Sequence, residues 1–224
     1  MSWILPEGIS TFAADIDLIY YWILVITGIV FVVVEGGLLW FVIKYRARPG
    51  RKAYYIQGNT KAEIIWSAIP AVTVVFIGLW SAIIWDDIKG RDSVPEGSLA
   101  YDVRAEQFEW HFTHAGVDGT LGTADDFQLR NQLHVPVNQP VVLNATAEDV
   151  IHAFFVPALR VKQDIVPGLG AVIWFEATST GEYEIACAEL CGMGHYRMRA
   201  MLTIHTQEEY SQWLASQSPV ATAE

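Results

Sequence analysis

Two uninterrupted apolar runs constrain this chain more than any other feature. Leu18 to Ile43 covers 26 residues broken by one charge, Glu35, and Ile64 to Ile84 covers 21 residues with none. As helices rising about 1.5 Å per residue, each reaches across the roughly 30 Å of hydrocarbon in a bilayer. Core helices of soluble proteins rarely stay apolar on every face for so long. The reading is two transmembrane helices, 18–43 and 64–85, joined as a hairpin.

Their orientation follows from the positive charge. The connector 44–63 carries Lys44, Arg46, Arg48, Arg51, Lys52 and Lys61, six of the chain's 14 basic residues, against the single acid Glu63. Such loops stay cytoplasmic. Residues 1–17 and everything beyond 85 are then expected on the outer, periplasmic side of a bacterial-type inner membrane. No basic n-region precedes the first run, which is also too long for an h-region, so the helices themselves are expected to direct insertion. From Asp86 onward 20 acids face 8 bases, a net of −12. That balance excludes a nucleic-acid binder, since phosphate recognition needs clustered Lys and Arg in excess.

The exported part, 86–216, reads as all-β. Tyr101 to Val103, Gln139 to Asn144, Ala171 to Ala177, Tyr183 to Ala186 and Met201 to His205 are short, rich in Val, Ile and aromatics, and separated by Gly, Pro, Asn or Asp. Their spacing predicts a sandwich or Greek-key barrel. Glu208 to Ser216 reads as a closing helix and 217–224 as a frayed tail. The run Val117 to Phe127, VDGTLGTADDF, has calcium-loop composition but neither the D-x-[DN]-x-[DN]-G order nor the distal Glu, and reads as a polar hairpin loop.

The chemistry is concentrated between Cys187 and Met198, CAELCGMGHYRM, which holds both cysteines of the chain with Glu189, His195 and Met198. Soft sulfur ligands together with imidazole select copper, whereas oxygen ligands would select magnesium or calcium. One thiolate with two His and a weak Met makes a mononuclear blue site. A second thiolate four positions on permits two sulfurs to bridge two copper ions. A second imidazole must then come from elsewhere, and His152 in DVIHAFFVP is the candidate, 35 residues upstream and flanked by apolar Ile151, Phe154 and Phe155 that would keep water away. A disulfide between exported cysteines is the plain alternative, and it leaves the adjacent His and Met unexplained. His111, His114, His134 and His205 have no sulfur neighbour in sequence and read as surface or core residues.

These residues carry a resemblance. The chain resembles subunit II of the haem–copper cytochrome c oxidases over nearly everything after its first fifteen residues. The matching features are the helical hairpin, Glu63, Ile65, Trp66, Ile69 and Pro70 at the second helix, the D-V-x-H-x-F-x-V-P run, Val161 to Gly168, and the C-x-E-x-C-x-x-x-H-x-x-M signature. The resemblance implies a cupredoxin-like domain carrying the dinuclear copper centre CuA, bridged by Cys187 and Cys191. His152, His195 and Met198 would be its further ligands, and Glu189 would bind by its backbone carbonyl. It also implies an interfacial magnesium ion reached by the Glu189 side chain, a catalytic haem-bearing subunit I with other oxidase subunits as partners, and a cytochrome c-type donor, free or docked in a supercomplex. Oxygen reduction would occur in the partner. Glu63 would lie at a proton-collecting mouth, or would serve as a helix-start carboxylate favoured by the macrodipole.

One departure stands out. Where the family pattern reads Q-W-x-W, with the first Trp receiving the electron, this chain has Gln107, Phe108, Glu109 and Trp110. Phe108 and Trp110 are therefore the residues to weigh as the electron's way in, Trp110 reading more simply as a packed aromatic. No C-x-x-C-H occurs, so no covalent haem is expected in this chain. Membrane-tethered copper chaperones also use C-x-x-x-C, but with one anchor and a downstream His. Quinol-oxidase relatives lack the ligand set, and nitrous oxide reductase lacks the hairpin.

Overall fold

A computed structural model describes residues 4–217. The tail reading for 218–224 lies outside them. Two long helices form one unit, residues 15–90, and a β domain built from 91 onward together with the first residues of the chain forms the other.

Helix α1 spans Ala13–Tyr45 and α2 spans Thr60–Lys89. At 33 and 30 residues they extend past the apolar runs into polar flanks, because a helix continues while its backbone hydrogen bonds can be made. Apolar side chains such as Phe31, Val32, Val72 and Phe76 are exposed along both, as lipid or neighbouring subunits require. Asn59 caps α2, its side chain accepting the Ala62 N–H at 3.2 Å, and Glu63 lies in the first turn where the macrodipole favours a carboxylate.

The β domain has ten strands: β1 Leu99–Glu106, β2 Glu109–His114, β3 Phe127–Arg130, β4 Gln132–Pro136, β5 Pro140–Ala147, β6 His152–Val156, β7 Val161–Ile165, β8 Ala171–Glu176, β9 Gly181–Cys187 and β10 Arg199–His205. They form two five-stranded sheets ordered β3-β2-β1-β5-β8 and β4-β10-β9-β6-β7. Most neighbours are antiparallel, but β1 with β5 and β10 with β4 pair in parallel. The expected strands are thus joined by β2, β3, β4, β6 and β7; polar residues on alternate positions mask β2, β3 and β4 in a reading by apolar content, and the run Lys162 to Asp164 masks β7. Between the sheets lie Tyr101, Trp110, Phe112, Leu133, Leu143, Phe154, Ile173, Phe175 and Ile185, each at most 1% exposed. Burying side chains of this size contributes roughly 1.5–3 kcal/mol apiece.

Residues Ile9 to Phe12, ahead of α1, are part of this domain. Ile9 N–H donates to the Ala158 carbonyl at 2.9 Å, its carbonyl accepts Thr178 N–H at 2.8 Å, and Ser10 bridges Ala177. Phe12 meets Trp174 edge-on at 5.5 Å. A closing helix, α3, spans Gln207–Gln217. The polar segment 115–126 connects the antiparallel pair β2 and β3, with Gly119 and Gly122 at positive φ supplying its turns.

Candidate metal centre

The end of β9 delivers Cys187, and the loop that follows carries Glu189, Cys191, His195 and Met198 before β10 leads back. Strand β6 lies beside β9, with Phe154 opposite Cys187, which brings His152 to the same end of the sandwich. The 34 residues between His152 and Cys187 include the whole of β7 and β8.

The two sulfurs lie 3.8 Å apart and are free thiols. A disulfide would need about 2.05 Å. Around them the other donors converge: His152 Nδ1 is 3.9 Å from Cys187 Sγ, His195 Nδ1 is 3.6 Å from Cys191 Sγ, and Met198 Sδ is 3.7 Å from Cys191 Sγ. The Glu189 carbonyl oxygen is 3.3 Å from Cys187 Sγ, while its side chain is exposed. Cys187, Cys191, His152 and Met198 are buried. Metal–thiolate bonds of about 2.3 Å let one ion touch two sulfurs at this separation, so the donor set fits a bridged pair of soft ions.

Burial opposes charge on both sulfurs. Contacts with His152 and backbone groups of Ala153 and Glu189 nevertheless pull the Cys187 thiol down to about 6. Burial and the adjacent Cys187 thiolate push Cys191 up to about 12.

The imidazole of His152 is held from behind. Its Nε2 lies 2.9 Å from Asp149 Oδ1, which leaves Nδ1 for the sulfurs. Burial would lower the His152 pKa, but Cys187 and Asp149 carry it upward. Asp149 also accepts the backbone N–H of Gln107 at 2.8 Å and of Val150 at 2.7 Å. These hydrogen bonds overcome the burial penalty and lower the carboxyl's pKa.

Water exclusion around His152 differs from the expectation. Ile151 is 44% exposed and Phe155 half-buried. The flanking residues of a strand point away from the face that holds His152. Of the expected shield only Phe154 is fully buried, and it is joined by Trp110 of β2, also fully buried, with its ring 6.2 Å from His152 and edge-on to Phe154 at 5.8 Å. Phe108, half-buried, lies in the β1–β2 turn against the backbone of Gly192 and Gly194. Glu63 belongs to the other unit, at the start of α2.

The remaining histidines stand apart. His111 pairs with Glu106 at 2.8 Å and Glu109 at 3.0 Å, a second group of metal-capable side chains that sequence reading missed, already engaged by Arg104 and Arg130. His134 Nδ1 lies 2.8 Å from His205 Nε2, and buried His114 accepts the His134 N–H. Asp149 and Gln107 were also missed as supports of the site. The Asp three residues before His152 was the available signal.

Comparison with known proteins places the chain. Residues 107–204 match the family model for the periplasmic domain of cytochrome c oxidase subunit II, and residues 1–84 match the model for its transmembrane domain. Cytochrome c oxidase subunit 2 of a Synechocystis strain is 31% identical, over 98% of this chain and 77% of that protein. The alternative cytochrome c oxidase subunit 2 of Bradyrhizobium diazoefficiens is also 31% identical, over 91% of this chain and 79% of that protein. Among solved structures, the periplasmic domain of subunit II of cytochrome oxidase of Bradyrhizobium japonicum is 28% identical with a TM-score of 0.49, covering 55% of this chain and 96% of that one. The chain belongs to the cytochrome c oxidase subunit II family.

Proposed function

We propose that this chain admits electrons to a respiratory haem–copper oxidase through a copper pair held by His152, Cys187, Cys191, His195 and Met198, with the Glu189 carbonyl as a further ligand. The observation that carries this reading is the convergence of four donors on two free sulfurs 3.8 Å apart, each donor within 3.9 Å of a sulfur. When bound, the CuA pair supplies reversible one-electron storage. The chain's own residues do the rest. Cys187 and Cys191 would hold the copper pair between them, Asp149 fixes His152, and Trp110 with Phe154 pack against the imidazole, so the ligands would move little as charge comes and goes.

The partner is the catalytic subunit, where oxygen is reduced. The exposed Glu189 carboxylate is assigned to a magnesium ion at that interface, and Glu63 to a proton-collecting position at the mouth of the second helix. The donor is a cytochrome c-type protein, free or docked, with half-buried Phe108 and buried Trp110 as candidate residues for the electron's entry. The β domain and both termini lie on the periplasmic side. Two features support that sidedness: the basic connector between the helices, and the pairing of Ile9 to Phe12 with the β domain, which requires both ends of the hairpin to emerge on one face.

The copper EPR spectrum of the purified oxidase tests the assignment. Two copper ions sharing one unpaired electron, with a many-line hyperfine pattern, are expected. One copper with a four-line signal would refute the bridged pair.

A further inference from the structure

The hairpin turn between β1 and β2 touches both halves of the ligand set. Gln107 donates its backbone N–H to Asp149, the carboxylate that holds His152. Its side-chain amide donates to the carbonyl of Cys191 at 2.5 Å. The ring of Phe108 covers the two glycines between Cys191 and His195: a Cβ on Gly192 would lie 3.2 Å from Phe108 Cε1, and a Cβ on Gly194 would lie 2.5 Å from Phe108 Cγ. The two glycines differ. Gly192 has φ +133°, a backbone region that only glycine adopts freely, whereas Gly194 has φ −91° and ψ 3°, open to most residues. At Gly194 what bars a side chain is the Phe108 ring.

We propose that Gln107 and Phe108 are positioning residues, a clamp that fixes the Cys191–His195 segment against the His152 side and so sets the spacing of the copper ligands. This rests on the copper assignment above. The turn is suited to the task because Glu106 and Glu109 pair directly across it, so only two residues bridge the strands and the tip has little freedom. Supports behind metal ligands typically change metal affinity by about 10–100-fold when removed. The clamp acts on ligand backbone, at Cys191 and at the glycines before His195, so its loss alters the geometry of the site before it alters the fold of the sandwich.

The test is a double-mutant cycle in the full-length chain within the purified oxidase. Phe108→Ala, Gly194→Ala and the two combined are compared with the parent by copper EPR and by the rate of copper loss to EDTA. Each single change is expected to speed copper loss roughly tenfold and to shift the hyperfine pattern. The first removes the seat, and the second drives a methyl group into it. The combined variant is expected to lose copper no faster than Phe108→Ala alone, because the methyl then enters vacated space. Gln107→Glu, similar in size but without the amide donor, is expected to shift the spectrum in the same sense. Singles with the parent's spectrum and copper-loss rate, or a double whose effect is the product of the singles, would overturn the clamp. A parent oxidase without a two-copper spectrum would overturn the copper assignment and this proposal with it.

Discussion

Asp149 faces His152 across 2.9 Å and binds the nitrogen that points away from the sulfurs. A carboxylate in that position fixes both the tautomer and the plane of a metal-binding imidazole. Asp149→Ala should therefore weaken copper binding by about 10–100-fold while the sandwich stays folded. Competition with a chelator, read beside circular dichroism, separates the two effects, and unchanged copper affinity would dismiss the orienting role.

The sulfur ligands should divide by role. Cys187→Ser or Cys191→Ser should abolish the two-copper spectrum, since a hydroxyl is a poor bridge between soft ions. Met198 is 1% exposed, and Leu matches its volume, so Met198→Leu should retain both ions and shift the reduction potential. Redox titration of the purified variants decides the matter; a metal-free Met198 variant beside intact Cys variants would reverse the assignment.

Acid should unfold the β domain partly through histidines remote from the metal. Burial pulls His114 down to about 3, and burial with the nearby His205 pulls His134 down to about 4. In the unfolded chain both titrate near 6.5, so as pH falls below that value the unfolded state binds protons first. Stability is complete above about pH 6.5 and declines as pH falls toward 4 and then 3, with His114 alone costing about 2 kcal/mol at pH 5. Thermal unfolding followed against pH should show the decline, and His114→Phe should flatten it between pH 6.5 and 4 while ligand protonation stays common to both proteins. An equal slope in that variant would exclude His114 as a cause.

Trp213 should hold the closing helix in place. It stacks on His134 with ring centres 4.2 Å apart and planes 17° from parallel, and it also meets His114, Phe127 and His205. Aromatic pairs contribute about 0.5–1.5 kcal/mol each beyond their area, so Trp213→Ala should cost roughly 2–3 kcal/mol. Faster proteolysis within Gln207–Gln217, with the copper spectrum unchanged, is the expected readout; protection equal to the parent's would show that α3 is held by other contacts.

A freely diffusing basic donor should be steered by the net charge of −12 from Asp86 onward. Electron transfer from a basic monohaem cytochrome c should slow as salt rises from low to physiological. A flat profile would favour a donor docked in the complex. Phe108→Trp should speed transfer if the first aromatic of the turn is where the electron arrives.

Much of this architecture is written locally, and the part that is not explains what the sequence concealed. Lipid-facing helices must be apolar on every side, so 18–43 and 64–85 are visible without a template. The ligand loop is visible because two Cys, a His and a Met fall within twelve residues. Strand β7, VKQDI, buries only its ends, and β2 places His114 inside where apolar counting expects solvent, so both escape that counting. Gln107 reaches Cys191 across 84 residues of chain and Asp149 across 42. Those contacts follow from sheet order, which no local spacing encodes.

The pairing of Ile9 to Phe12 with residues about 150 positions later has a consequence for biogenesis. Ser10 Oγ binds the carbonyl of Leu159 at 2.7 Å, a contact between residues 149 apart. Assembly thus runs against the direction of synthesis. The segment ahead of the first helix is pinned only after the later strands have been made and paired. A ribosome halted before Ala158 would leave both helices made and the leading segment without its partners.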